Sequence, residues 1–145
     1  MTEHTRVIST SRVQQTDSVA VQMFAASPQA GFPAPGDDLV RDELNVHDLL
    51  VKHPESTFFV RVEGDSMEGA GIFSGDVLVI DRSVEPKNGS IVVAVVDGGL
   101  VVKRVRITSR EMFLVSENAA YAPIVISPET GCTVWGVVTG SIRQF

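Results

Sequence analysis

Cysteine occurs once, at Cys132, so no internal disulfide can form, and a reducing compartment such as the cytoplasm suits the chain. That cysteine lies in a strand-like segment, CTVWGVV, which favours a small buried apolar role over reactivity. Long hydrophobic runs are missing too. No uninterrupted apolar stretch approaches the ~18 residues of a membrane-spanning helix, and the N-terminus lacks the basic start and apolar block of a secretory signal. Positive charge is scarce: 12 Lys and Arg stand against 18 Asp and Glu, for a net charge of −6. Phosphate contacts need clustered cations, so no direct nucleic-acid binding is expected, although Lys103, Arg104 and Arg106 lie close together in sequence. No histidines and cysteine fall at metal-ligand spacing and the carboxylates are scattered, so no metal is expected. Gly64 and Gly69 have the spacing that opens a phosphate loop, but Ala70 and Gly71 stand where Lys and Ser or Thr are required. Nucleotide binding is set aside on that ground, and no cofactor is implied.

What is present is a β pattern. The 145 residues have room for one domain, and a hydrophobic fraction of 43% is ordinary for a globular protein. Runs rich in β-branched and aromatic residues predict strands over 57–63, 77–81, 90–96, 100–107, 112–116, 124–126 and 133–142, with Gly136 and Gly140 as bulges or bends in the last. The third and fourth flank Asp97, Gly98 and Gly99, a hairpin turn. Short strands with turn signals and little helix predict a compact, twisted, mostly antiparallel β domain over 31–145. Before it, 12 of residues 1–30 are Ser, Thr or Gln, which buries too little to offset ordering, so a flexible N-terminal arm is expected. Its one apolar stretch, Val19 to Phe24, is suited to docking on a sheet edge. Asn45 with Asp48 three residues on resembles a helix start, Leu49 and Leu50 would supply its buried side, and Pro54 closes it.

The chemistry centres on Gly64, Asp65, Ser66 and Met67, between two strand-like runs. Gly, Asp and Ser are common turn residues, and these four alone read as a plain turn. A serine hydroxyl becomes a nucleophile only when a base takes its proton. The histidines fit that role poorly: His4 is in the arm, His47 and His53 flank the short helix, and all three read as surface or local capping groups. Lys103 is the one charged residue on its strand face, with Val101, Val105 and Ile107, whereas Arg104 and Arg106 read as solvated charges. Burial lowers a lysine pKa by up to ~3 to 5 units and makes it a competent base; a lysine snorkelling to the sheet edge is the other reading. Ser66 with Lys103 is a known variant of the serine nucleophile arrangement. Ala30 and Gly31, with Pro33 and Pro35 beyond, read either as a linker or as an extended bond slim enough to enter an active site.

Three features then coincide: Ala30–Gly31 followed by Phe32 and Pro33, Ser66 in GDSM, and Lys103 in VVKR. Together they resemble the self-cleaving Ser/Lys proteins of the LexA and UmuD family, S24-like peptidases, with further likeness in LLVKHP, FVRVEGDSM, GDVLVID and NAAYAP. The resemblance covers roughly residues 31–140. It implies Ser66 as nucleophile, Lys103 as base, the Ala30–Gly31 bond as substrate, and backbone N–H groups near Asp65 and Ser66 as oxyanion hole. It implies slow self-cleavage promoted by a RecA filament on single-stranded DNA, in the SOS response. The trimmed homodimer would then join a UmuC-like Y-family DNA polymerase for translesion synthesis. A LexA-type repressor would need a DNA-binding domain before residue 31, and a signal-peptidase-like enzyme a membrane anchor. The remaining alternative is a non-catalytic protein-binding module with the same fold.

Overall fold

In β4 (Thr57–Glu63), β5 (Val77–Asp81) and β6 (Ile91–Val96), branched aliphatic residues alternate between two faces of one antiparallel sheet. The computed structural model describes residues 4–13, 20–24, 40–118 and 120–145. Besides these three strands they form β1 (Arg6–Arg12), β2 (Ala20–Phe24), β3 (Val40–Asn45), α1 (Val46–Leu50), β7 (Gly99–Ile107), β8 (Met112–Val115), β9 (Ile124–Val125) and β10 (Thr133–Ile142). The protein is mostly β. It divides into two compact units, Met1–Val13 with His53–Phe145, and Gln14–Lys52.

In the larger unit eight strands run in the order β1-β4-β5-β10-β6-β7-β8-β9, and a further pairing of β1 with β7 closes the sheet on itself. The β6–β7 hairpin turns at Asp97 and Gly98, both with positive φ (50° and 78°), the backbone a two-residue turn of matching twist requires. The register of β10 slips at Gly136 and again at Gly140, as expected from sequence. One apolar cluster contains Val60, Val62, Leu78, Ile80, Val93 and Val102 together with Met67, the residue after Ser66. The other face of β6 and β7 carries Val92, Ala94 and Val105, which meet Leu114, Cys132 and Val137 in a second cluster. Full burial of one such side chain is worth on the order of 1.5–3 kcal/mol. These clusters therefore hold the serine turn more firmly than any single hydrogen bond at the site, worth about 1 kcal/mol.

Strand β1 departs from the sequence reading, which placed 1–30 in a mobile arm. Arg6–Arg12 pairs antiparallel with β4 from Arg6 opposite Glu63 to Arg12 opposite Phe58, with a slip between Val7 and Ser9. Only Val7 packs against the core, and Ile8 is 48% exposed. The ladder is made of backbone groups, which leave no trace in side-chain composition. Arg6 adds a salt bridge to Glu63 across the pair.

In the smaller unit β2 and β3 form a separate two-stranded antiparallel sheet, so the apolar stretch near residue 20 pairs with β3 and not with the main sheet. Asn45 caps α1 by accepting from the Asp48 N–H at 3.1 Å, as its spacing predicted. The apolar side expected for this helix is absent: α1 has no buried residue and Leu49 is 53% exposed, because five residues make too little face to cover a core. Ala30 and Gly31 lie outside the described residues.

Candidate active site

Strand β4 ends at Glu63, and Gly64 takes φ +111°, a conformation costly for any residue with a side chain. The chain then turns through Asp65 and Ser66, and Met67 drops into the core with no exposed surface. Rigid anchors on both sides fix the serine hydroxyl. Ser66 is 1% exposed, and Lys103, from the middle of β7, is also 1% exposed. Lys103 is thus buried and does not snorkel.

Ser66 and Lys103 meet adjacent residues of the N-terminal segment. The Thr5 N–H donates to Ser66 Oγ at 2.8 Å, the Ser66 hydroxyl donates to Thr5 Oγ1 at 3.1 Å, and the Met67 N–H donates to the same Oγ1 at 3.2 Å. Lys103 Nζ donates to Ser116 Oγ at 2.6 Å and lies 3.0 Å from His4 Nδ1. Ser66 and Lys103 make no hydrogen bond to each other among the described residues. The His4 ring stacks on Tyr121, centroids 3.9 Å apart, and Lys103 Nζ sits 5.1 Å from the Tyr121 centroid. A cavity of about 260 Å³ opens beside this cluster, lined by His4, Val96, Asp97, Val101, Lys103 and Ile124.

Burial works against the charged form of Lys103. Burial pushes the Lys103 pKa below the ordinary lysine value, and no carboxylate among the described residues forms an ion pair with it. The His4 pKa is lowered as well, by burial first and by the Lys103 charge second. A neutral His4 accepts the lysine's proton at Nδ1 and carries its own on Nε2. A neutral amine with a lone pair can take a proton from a hydroxyl, so the pocket holds what an acyl transfer requires: a fixed hydroxyl, a desolvated base and an inward-facing backbone N–H at Met67.

The sequence reading singled out Ser66 and Lys103 and missed the groups around them. His4, read as a surface residue, covers Lys103; Ser116, at the end of β8, is that lysine's closest partner; Tyr121 closes one side. Arg104, read as a solvated charge, is instead bonded to Glu117 and to the Gly89 carbonyl at 2.7 Å. His53 is also engaged, 2.5 Å from Asp81. The only hint available in sequence was the polar character of residues 1–13, which reads as disorder. Among the described residues no group of His, Cys, Asp and Glu could hold a metal ion, and no helix is long and apolar enough to cross a membrane.

Residues 22–139 match the family model described as Peptidase S24-like. The chain is 43% identical over 126 residues to the protein MucA of Salmonella typhimurium, covering 86% of each. It is 39% identical over 129 residues to the protein ImpA of Shigella flexneri, covering 88% of this chain and 87% of that one. LexA repressor 2 of Xanthomonas axonopodis pv. citri is 32% identical over 139 residues, 96% of this chain and 64% of the repressor.

Proposed function

This chain belongs to the peptidase S24-like family, on its UmuD-type side, and we propose that it is a serine peptidase that cuts itself between Ala30 and Gly31. Ser66 is the nucleophile and Lys103 the general base. The observation that carries the reading is the convergence of a residue from the turn after β4 with one from the middle of β7: both are 1% exposed, and they bind neighbouring residues of one N-terminal segment.

In the reaction Lys103 Nζ takes the Ser66 proton as Oγ bonds to the Ala30 carbonyl carbon, whose oxygen becomes an oxyanion. Backbone N–H groups at Asp65 and Ser66, joined by the Met67 N–H, stabilise that charge; one such donor is worth ~3 to 4 kcal/mol. Collapse breaks the Ala30–Gly31 C–N bond, and the Lys103 ammonium returns its proton to the Gly31 nitrogen. Water, deprotonated by Lys103, then attacks the ester carbonyl; collapse breaks its bond to Ser66 Oγ, and the Lys103 ammonium returns the proton to that oxygen.

A RecA filament on single-stranded DNA acts by favouring the arrangement in which the scissile bond is docked, without supplying catalytic groups. The trimmed homodimer serves, in the cytoplasm, as accessory subunit of a UmuC-type translesion polymerase. Intact mass after incubation with RecA, single-stranded DNA and a nucleoside triphosphate tests the chemistry. Wild type is expected to lose residues 1–30 and Ser66→Ala to stay whole. An uncut wild type, with RecA active on another substrate, would leave the protein-binding module as the function.

A further inference from the structure

We infer that residues 4–12 are a built-in occupant of the peptidase groove, and that this segment must leave before the chain can cut itself. The inference rests on Ser66 and Lys103 being the reacting pair. These residues precede the stretch that matches the family model, 22–139.

A hydroxyl has one proton and two lone pairs. At Ser66 the proton points to Thr5 Oγ1 and one lone pair accepts the Thr5 N–H. Oγ lies along the N–H of the His4–Thr5 amide, near its plane, whereas attack on the His4 carbonyl carbon would have to come over that plane. The Thr5 carbonyl is turned the other way and accepts from the Val102 N–H at 2.8 Å. The occupant is therefore bound without being cut. The Met67 N–H, which faces the same pocket, is spent on Thr5 Oγ1.

The base is engaged by the same segment. Lys103 Nζ has Ser116 Oγ and His4 Nδ1 as acceptors, and the His4 ring covers the amine. With His4 gone, one side of Nζ is uncovered and open to a proton donor. Gly64 is shaped to admit this backbone: a Cβ there would lie 2.3 Å from the His4 carbonyl oxygen and 2.9 Å from the Thr5 Cα. Six register pairs with β4 then hold the rest of the segment.

The occupant lies before the proposed scissile bond in sequence, so a cut after Ala30 frees it covalently and leaves it docked. Cutting and emptying of the groove are separate events.

The test pairs His4→Ala with Thr5→Pro, which removes the ring, the hydroxyl and the N–H; Thr5→Ser keeps the last two. Three quantities are read without RecA: hydrogen exchange of the Met67 amide, capture of Ser66 by a fluorophosphonate reagent, and cutting at residues 30 and 31. Unchanged exchange at β5 and β10 confirms that the barrel is folded. All three rates are expected to rise at least tenfold in the double variant and to keep wild-type values in Thr5→Ser. Unchanged Met67 exchange overturns the occupant, and faster exchange with unchanged cutting overturns its gating role. Faster exchange with no Ser66 capture and no cutting in any variant, RecA included, upholds the occupant and overturns the peptidase reading.

Discussion

Lys103 and Asp81 are both buried ionisable side chains of the same sheet, and their surroundings treat their charges in opposite ways. Asp81, 3% exposed at the end of β5, accepts from Ser83 Oγ at 2.7 Å, the Ser83 N–H at 2.9 Å, Ser56 Oγ at 2.8 Å and His53 Nδ1 at 2.5 Å. Burial raises its pKa, but the hydrogen bonds from Ser83, His53 and Ser56 outweigh that and bring it to about 2. The His53 pKa is raised in return, by its hydrogen bond to Asp81 first and by that residue's charge second. Lys103 has two neutral acceptors and no counter-charge, so burial alone moves it, toward the uncharged form. Asp81 is held by residues of the sheet and its adjoining turns, whereas one of the lysine's partners, His4, sits on a strand held mostly by backbone bonds. A settled charge marks structure. A destabilised charge with a removable partner marks a candidate for chemistry.

The largest effect that would break this contrast is loss of cutting. Ser66→Ala and Lys103→Met are each expected to slow self-cleavage by about 10³-fold or more, by intact mass, while far-ultraviolet circular dichroism stays that of the wild type. Cutting retained in Lys103→Met would make the lysine a second structural group.

Asp81→Asn comes next. Losing a charged acceptor shared by four donors is expected to cost about 2 kcal/mol of stability in urea, with the cutting rate per folded molecule unchanged. A slower rate would tie the Asp81 cluster to the site.

The two groups should also separate by pH. Asp81 ionises more readily in the fold than at its ordinary value of 3.8, so its stabilisation is full above that pH and lost as pH falls toward about 2, on the order of 2 kcal/mol in all. For Lys103 the fold favours the neutral amine, so the unfolded chain binds more protons and its contribution to stability rises with pH toward 10.5. Cutting without RecA should accordingly accelerate from pH 7 to 10; a flat profile would remove Lys103 as base.

The smallest effect concerns the strand ladder. After cutting, fragment 1–30 should co-migrate with 31–145 in native mass spectrometry and separate in mild denaturant, because β1 buries little apolar surface. Immediate loss of the fragment would show that the groove empties with the cut.

Strands β4, β5 and β10 follow the limits read from sequence because β-branched residues on buried faces announce themselves locally. The Gly-Asp-Ser turn and the lone charge on an apolar face are short-range signals too, but by themselves they read as a plain turn and a snorkelling lysine; the family resemblance singled out Ser66 and Lys103. The cap at Asn45 is equally local. Other features depend on partners far along the chain. Thr5 meets Ser66 across 61 positions, His4 meets Lys103 across 99, and His53 meets Asp81 across 28. Strand β1 was invisible because its pairing uses N–H and C=O groups that every residue carries. The sequence by itself determined the β class, the seven strands between residues 57 and 142 and the two candidate side chains, since burial and turn chemistry are written residue by residue. Only the tertiary structure decided that residues 6–12 join the sheet and that His4 and Thr5 meet Lys103 and Ser66, because hydrogen bonds between distant segments have no composition to read.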